Sequence, residues 1–358
     1  MSAPIHRWVT EPVPADVERA LQRLADLDDA VHVAVMPDVH LAPGACVGTV
    51  LATSRTLFPP AVGGDVGCGV ATLRLSGLSA GELDRPPVLA GLEARIPVLR
   101  HAKPPPWPDL DPDELSCEPL RRRALRDGRV QLGTVGRGNH FVEVQADDGD
   151  AIWVMAHSGS RAMGRAVQDH HGGEPIDAQR PEGLDYAADL AWAEAYAAHN
   201  RQRLLLAALR AIRDAHPTAR PDPETYLDCA HNHVHRERQL DRDLWVHRKG
   251  AISARNGEPG LVPGSMGTWS YHVEGRGHPL ALGSSSHGAG RTMTRTEARA
   301  AIGRRELRRQ LRSVAYRDRP DLGEEAPSAY RDIGAVMRAQ RELTRIVRRV
   351  RPLVVHKG

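Results

Sequence analysis

The chain has 358 residues, which is enough to bury a substantial core in one large domain or two ordinary ones. Hydrophobic residues make up 41% and charged residues 26%, and no apolar run reaches the roughly 18 residues of a membrane helix, so a membrane partner is not expected. The formal net charge of +3 does not require a nucleic-acid partner, but it allows a local basic groove.

The first half of the chain predicts short strands between helices. Apolar residues at helical spacing, after a proline suited to a first turn, predict an amphipathic helix over residues 14–28, and a second helix is predicted near 81–95. The clustered prolines of residues 103–119 predict an exposed, irregular loop within one domain that spans residues 1–358. The strands predicted in this half are residues 31–36, 47–52, 70–75, 141–144 and 152–155.

The second half is predicted to be richer in helix. The helices predicted there are residues 186–215, 226–239, 294–314 and 332–350. The strands predicted there are residues 245–253, 260–262, 271–273 and 279–282. The apolar residues 353–355 could dock the C-terminus as a strand and bury Lys357 near an anion, whereas a frayed end is the alternative.

Cysteine usage indicates the redox compartment. The four cysteines are Cys46, Cys68, Cys117 and Cys229. They form no CxxC motif and follow no secretory leader, so we expect reduced thiols in a cytoplasmic protein.

A segment of very small side chains, residues 283–291, surrounds His287 and ends in Arg291. Small residues let backbone N–H groups approach an anion and arginine forks onto phosphoryl oxygens, so the segment is suited to a phosphate, with His287 as a candidate nucleophile. A second such loop, residues 263–267 with Ser270, could cradle a nucleotide phosphate. The alternative for both is an ordinary turn.

Several residues of the types that bind metal ions occur in short motifs along the chain. Asp65 and Cys68 lie three residues apart in a glycine-dense turn, where both could face one divalent ion, or where the cysteine is simply small and buried. His140 and His157 lie at strand ends, where a structural role is the alternative. On a helix, His231 and His235 would share a face, and spacing alone does not choose among these two and His233.

Taken together, these stretches resemble the RtcB family of RNA-splicing and RNA-repair ligases, in a short form. The motifs that follow the family pattern are Met36-Pro37-Asp38-Val39-His40, Asp65-Val66-Gly67-Cys68-Gly69, Gly138-Asn139-His140-Phe141, His157-Ser158-Gly159-Ser160-Arg161, His231-Asn232, Arg248-Lys249-Gly250-Ala251, Pro263-Gly264-Ser265-Met266-Gly267, His287-Gly288-Ala289-Gly290-Arg291 and Lys357-Gly358. They cover the chain from about residue 36 to its end.

The resemblance implies a mixed α/β fold: one compact domain with a β-sandwich-like core surrounded by helices. It implies a GTP- and Mn²⁺-dependent ligase that joins RNA ending in a 3′-phosphate or 2′,3′-cyclic phosphate to RNA with a 5′-hydroxyl, in RNA repair or tRNA splicing. An activating protein is a further candidate partner.

The resemblance also implies roles for individual residues. Cys68 would bridge two Mn²⁺ ions, one also held by His157 and His231 and the other by Asp65 and His140. His287 would be the guanylylated nucleophile, with Asp38 and Arg291 as further catalytic residues, and Arg161, Arg165 and Arg291 would be candidates for RNA phosphates. The residues implied around the nucleotide are Asn139, His140, Phe141, Val142, Glu143, His231, Asn232, Pro263, Gly264, Ser265, Met266, Ser270, His287, Gly288, Ala289, Gly290 and Lys357.

Two departures from the family pattern bear on substrate choice. Ala42 stands where the family usually has glycine, and the chain is shorter than many relatives. The competing hypotheses are a metal-dependent phosphatase or cyclic phosphodiesterase and a non-catalytic RNA-end-binding module. A simple hydrolase would leave His287, the loop at Pro263 and Lys357 without a function, because it forms no covalent nucleotide.

Overall fold

The structure, a computed structural model, describes residues 2–9 and 11–358. The α-helices are α1 Ala15–Ala25, α2 Arg85–Arg95, α3 Glu118–Arg123, α4 Arg129–Gln131, α5 Ala162–His171, α6 Pro181–Ala215, α7 Arg295–Ala301, α8 Arg304–Gln310 and α9 Ile333–Ala339. The strands are β1 Ile5–Arg7, β2 Ala30–His40, β3 Val47–Thr53, β4 Thr56–Leu57, β5 Gly69–Ser79, β6 Phe141–Asp147, β7 Ala151–Ser158, β8 Ile176–Asp177, β9 Arg220–Ala230, β10 Asn232–Gln239, β11 Arg242–Lys249, β12 Ala251–Ser253, β13 Pro259–Val262, β14 Ser270–Gly275, β15 Ser284–Ser286, β16 Ala315–Tyr316 and β17 Thr344–Lys357.

Two larger sheets organise these strands. One has the order β1-β2-β3-β11-β10, and the other has the order β13-β14-β17-β6-β7-β5-β9, with β16 alongside β17. Neighbouring strands are antiparallel apart from the β1–β2 and β16–β17 pairs. The short β12–β15 pair leads directly into His287. The mixed α/β prediction is confirmed.

Apolar helix faces cover both sheets. The buried residues of α1, including Leu21 and Leu24, pack with Val33 and Val35 of β2. The long α6 buries Leu204 and its neighbours in the cluster that also contains the apolar residues of β5, β6 and β7. This helix therefore supports the second sheet along the strands that carry the candidate metal ligands.

Three predicted elements are wrong. Residues 226–239 are not a helix: they belong to β9 and β10, and β10 forms a hairpin with β11 through Leu240 and Asp241, both at positive φ. Residues 332–350 are helical only in α9, and residues 344–350 belong to β17, where β-branched residues pair with β14 and β6. Residues 279–282 form a 3₁₀ turn, Pro279–Ala281, rather than a strand. In each case pairing or turn chemistry overrode local periodicity.

Two predictions about irregular and terminal segments have different outcomes. Residues 103–119 are mostly irregular but held down, because Leu115 is fully buried and Trp107 stacks on Trp192 of α6. The C-terminal strand is confirmed as the end of β17, with Lys357 buried and its Nζ 3.0 Å from Glu325 Oε2. Within the described residues, no helix has both the length and the apolar character needed to cross a membrane.

Arg201 of α6 connects the helix to two chemically important turns. Its guanidinium is almost fully buried and donates to Gly67 O at 2.6 Å and to Ser158 O at 2.9 Å. It also donates to Asp228 Oδ1 of β9 at 2.8 Å. Because the two carbonyl groups flank β5 and β7, this one side chain fixes the turns that precede and follow the candidate metal ligands.

We predict that Arg201→Met destabilises the protein by about 3 kcal/mol, because it leaves the Asp228 carboxylate and two carbonyl groups without their buried donor. The matched control is Arg210→Met, at an exposed position of the same helix, with an expected change within about 0.5 kcal/mol. The measurement is the free energy of unfolding in urea. Equal stability of the two variants would refute the anchoring role.

Candidate active site

Strand register collects the candidate metal ligands at one edge of the second sheet. Gly69 of β5 pairs with Ser158 of β7 and with Ala230 of β9, while Phe141 of β6 pairs with His157. The residues next to these positions therefore project from the same end of four adjacent strands. They are Asp65, Cys68, His140, His157 and His231.

Cys68 lies at the centre of this group. Its Sγ is 3.3 Å from Nε2 of His140 and 3.4 Å from Nε2 of His157. Ligand atoms of Cys68, His157 and His231 lie within 4.8 Å of one another, and so do those of Asp65, Cys68 and His140. Two triads therefore share one sulfur, which is an arrangement that could hold two metal ions with a bridging thiolate.

The protonation chemistry of the triad with His231 fits metal ligation. Burial and the nearby imidazoles lower the pKa values of His157 and His231 well below their ordinary range, so both rings are neutral. His157 Nδ1 lies 3.2 Å from Asn139 O, which fixes its proton there and turns Nε2 towards Cys68. His231 Nδ1 is buried without a hydrogen-bond partner in the described part of the chain, as suits a ligand atom.

The other triad carries more charge. Enclosure raises the pKa of Asp65, but His140 and Arg161 outweigh this and lower it to about 2. Burial, and then the neighbouring Asp65, raise the pKa of the Cys68 thiol well above its usual value, so metal binding must release a proton from sulfur. Arg161 NH1 is 3.0 Å from Nδ1 of His140, the ring nitrogen that does not face Cys68. That contact uses part of a guanidinium that was expected to meet RNA phosphates.

His287 lies beside the metal-ligand group. Its ring centroid is 4.7 Å from that of His231, and its Nδ1 is 2.7 Å from Oδ2 of the fully buried Asp38. Asp38 comes from the end of β2, and His287 follows β15, so the pair joins the two halves of the chain. The Nδ1–Oδ2 contact is short but lacks hydrogen-bond geometry, whereas the backbone N of His287 donates to the same Oδ2 at 3.3 Å. Asp38 therefore fixes the position of His287 and lies on the Nδ1 side of its ring.

These residues border a cavity of about 420 Å³. The predicted site residues that line it are Asp65, Cys68, Asn139, Phe141, Glu143, His157, Arg165, His231, Asn232, Pro263, Gly264, Ser265, Met266, His287, Gly288, Ala289, Gly290, Arg291 and Lys357. Val142 points away into the apolar core because neighbours on a strand face opposite ways. Ser270 Oγ accepts from Gly264 N at 3.0 Å and so shapes the loop from behind.

Arg291, Lys357 and Glu325 form a charged group on one wall. Arg291 donates to Glu325 Oε1 at 3.2 Å, to Tyr330 Oη at 3.0 Å and to two backbone carbonyl groups. Glu325 also accepts from Tyr330 and pairs with Lys357. Arg291 is thus largely engaged within the protein, which makes it a support for this wall.

Three residues that line this cavity were not predicted from the sequence to have a role in the site. Lys249 Nζ donates to Pro43 O and Pro60 O and has no carboxylate partner among the described residues, and burial lowers its pKa to about 8. Lys249 lies in a motif that follows the family pattern, but the sequence does not indicate that its ammonium group is buried. Glu325 and Tyr330 lie in a stretch without a motif, so only the structure places them. Of the three neighbouring histidines, His231 reaches Cys68, while the exposed His235 pairs with Glu194.

The fold and the site define an α/β protein with a buried cysteine–histidine group, able to hold metal ions, at the wall of a large cavity. Comparison with known proteins narrows this class to one family. Residues 20–117, 112–175 and 174–358 match the family described as tRNA-splicing ligase RtcB. The chain belongs to the RtcB family and is an enzyme of the RNA-splicing ligase type.

Individual relatives match over most of the chain. It is 34% identical to RNA-splicing ligase RtcB of Escherichia coli K12 in an alignment of 409 positions that covers all of this chain and 98% of the relative. It is 31% identical to RNA-splicing ligase RtcB2 of another E. coli strain, over 89% of this chain and 86% of that protein. It is also 31% identical to RNA-splicing ligase RtcB of Mycobacterium tuberculosis, over 90% and 96%. The K12 alignment is longer than this chain, which therefore lacks segments of that relative.

We predict that Cys68→Ala loses metal from both triads at once, because the same sulfur belongs to each. The control is Cys46→Ala, which removes a buried thiol from a separate apolar cluster and should cost only packing. The measurement is the metal content of each variant by mass spectrometry, after equilibration with Mn²⁺ and desalting. Full metal content in Cys68→Ala would exclude the shared-ligand arrangement.

A pH prediction follows from Glu143, which faces the cavity from β6. Burial raises its pKa to about 8, although a hydrogen bond from Gln145 and the charge of Lys357 oppose this. Between pH 4.5 and about 8 the unfolded carboxyl is ionised while the folded one keeps its proton, so the free energy of unfolding falls as pH rises.

Glu143→Gln should remove this fall, so that the variant gains stability relative to the native protein across that pH window. Urea unfolding at half-unit pH intervals provides the test. Glu224→Gln, at an exposed position of β9, is the control and should follow the native pH profile. A constant difference between Glu143→Gln and the native protein across the window would show that Glu143 does not bind the extra proton.

Proposed function

We propose that this protein is a GTP- and Mn²⁺-dependent ligase that joins RNA 3′-phosphate or 2′,3′-cyclic phosphate ends to 5′-hydroxyl ends. The observation that carries the proposal is His287, oriented by Asp38 at 2.7 Å and placed beside a cysteine-centred ligand group in a cavity lined by small-residue loops. The relatives named as RNA-splicing ligases support the RNA substrate.

The residues present fit two Mn²⁺ ions. Cys68 with His157 and His231 would hold one, and Cys68 with Asp65 and His140 would hold the other. The Asp65 carboxylate suits Mn²⁺, and the orphaned Nδ1 of His231 supplies a ready ligand atom. Bound there, the ions supply Lewis-acid stabilisation of negative charge on phosphoryl oxygens.

The nucleotide would occupy the wall formed by the Pro263 loop, the segment after His287 and the ends of β6 and β17. Phe141 and Glu143 face this space from one strand, and Lys357 faces it from the next. Gly264 N is already held by Ser270 and Ser265 N by Thr268, so the loop is preorganised. Asn232 bridges Asp65 O and Gly250 N, which keeps the metal turn and this wall at a constant separation.

The chemistry follows from the imidazole. With Asp38 on the Nδ1 side of its ring, His287 attacks the α-phosphorus of GTP through Nε2 and displaces pyrophosphate. The RNA 3′-phosphate then attacks the same phosphorus, which moves GMP to the RNA end and frees His287. The RNA 5′-hydroxyl attacks the activated 3′-phosphate, loses its proton and displaces GMP, so that a phosphodiester remains. A 2′,3′-cyclic end must first be hydrolysed to the 3′-phosphate.

A phosphatase, a cyclic phosphodiesterase or a non-catalytic RNA-end-binding module is disfavoured by the same residues. None of them needs a buried aspartate to orient a cavity-facing histidine, or the small-residue loops around it. The proposed ligase uses all of these features, with the metal-ligand group beside them.

We predict that incubation with Mn²⁺ and α-labelled GTP labels the protein on His287. The adduct should be lost in mild acid and survive alkali, because protonation makes the imidazole a good leaving group. His287→Ala should give no label, whereas His235→Ala, a half-exposed histidine outside the cavity lining, should label normally. An acid-stable label that persists in His287→Ala and disappears in Lys357→Ala would instead indicate a lysine nucleotidyl transferase.

A further inference from the structure

The active-site cavity is the first of three cavities that follow one another along the protein. Met266 and Lys357 line both the active-site cavity and a second cavity of about 320 Å³. Val98 and Arg319 line both that cavity and a third one of about 460 Å³. The three cavities therefore adjoin one another, and the path that they define runs from the proposed nucleotide wall to the third cavity.

Four arginines along this path contact carboxylates only at ion-pair distances of 3.4 Å or more. Arg137, Arg299 and Arg319 line the third cavity, and Arg295 lines the active-site cavity. In the described part of the chain, none of these four guanidinium groups donates a hydrogen bond to protein, in contrast to Arg291. Arginine presents five N–H donors suited to phosphate, so these groups are available to an anion.

The four arginines also lie close together. Arg295 and Arg299 are one turn apart on α7, and both approach Glu324, at 3.8 Å and 3.4 Å. Arg295 also lies against Gly138, the residue next to Arg137, since a Cβ built there would be 2.7 Å from its NH2. This row of cations starts at the mouth of the active site and ends in the third cavity.

The carboxylates on the path offset these charges only in part, because Glu324 and Glu325 lie 3.4 to 3.8 Å from Arg295 and Arg299, beyond a good hydrogen bond. The nearest Arg319 contact to Asp321 is 3.7 Å, longer than a hydrogen bond, and both residues are partly exposed. Arg317 donates to Glu93 at 3.2 Å in the second cavity, with its side chain 70% exposed. Exposed pairs of this kind contribute at most about 1 kcal/mol, so a phosphate group can displace them.

The second cavity adds a surface for a base. The half-buried Tyr316 ring lies there with Ile96, Pro97 and Val355, and Arg317 and Arg319 are on its rim. An aromatic face within a positively charged groove is the combination that binds single-stranded nucleic acid.

We propose that these two cavities bind a single-stranded RNA segment next to the break, with its phosphates on Arg137, Arg299 and Arg319 and one base against Tyr316. The assignment rests on the proposed ligase function, because it requires an RNA end in the active site. Contacts to phosphates carry no sequence information, so this groove holds RNA ends irrespective of sequence.

The test measures RNA affinity without catalysis. Fluorescence anisotropy with Mn²⁺ but no GTP is recorded for two single-stranded RNAs of ~10 nucleotides, one with a 3′-phosphate and a blocked 5′ end, the other with a 5′-hydroxyl and a blocked 3′ end. The groove variant combines Arg137→Ala, Arg299→Ala and Arg319→Ala, and leaves Arg295 in place because it lines the active site. The charge-matched control combines Arg19→Ala, Arg210→Ala and Arg213→Ala, all at exposed positions elsewhere.

We expect the groove variant to bind one or both RNAs about tenfold more weakly, and the slope of log affinity against log salt to become shallower by about 2, since each lost contact removes ~0.7. Tyr316→Leu should weaken binding without changing that slope. The control should bind like the native protein. Loss confined to one RNA assigns the groove to that strand.

Native affinity and slope in the groove variant would overturn the proposal, and so would an equal loss for a hairpin RNA with paired, blocked ends. GMP labelling needs no RNA, so the groove variant should label normally, and this also shows that it is folded. Absence of labelling in the native protein would contradict the proposed ligase function, while the RNA affinities would still decide the groove.

Discussion

The proximity of one sulfur atom to three imidazoles is the constraint on which the site depends. Cys68 can be shared by two ligand triads only because β6, β7, β5 and β9 end in register at one sheet edge. A slip of one residue in any of these pairs would turn a ligand to the opposite face. The buried Arg201, which bridges the turns at Gly67 and Ser158, holds that register from behind.

The cavity wall opposite the metal ligands is built on charge rather than on apolar packing. Glu325 is buried and accepts from Tyr330, while its two oxygens also face Arg291 and Lys357. These charges lower the pKa of Glu325 although burial alone would raise it. Two cations share one carboxylate, so the wall keeps a net positive charge, and an anionic nucleotide would meet a preorganised surface.

His287 joins these two parts. It approaches His231 on the metal side, and through Asp38 it is tied to the first sheet. The active site thus depends on strands from both sheets, and the two-stranded β12–β15 pair carries the histidine between them. Tertiary contacts therefore position His287 on every side, which limits the number of orientations that its ring can adopt.

The sequence by itself determined the family, because the residue types of its short motifs, such as those around Asp65, Cys68 and His287, can be recognised without knowing their contacts. Helices with clear periodicity, such as α1 and α6, were also predictable. Only the tertiary structure decided that residues 226–239 and the beginning of β17, residues 344–350, are strands, because cross-strand pairing outweighs an arginine-rich local pattern that resembles a helix. It also decided the surroundings of Glu325, Lys249 and the arginines of the third cavity, because burial and contacts depend on residues far away in the chain.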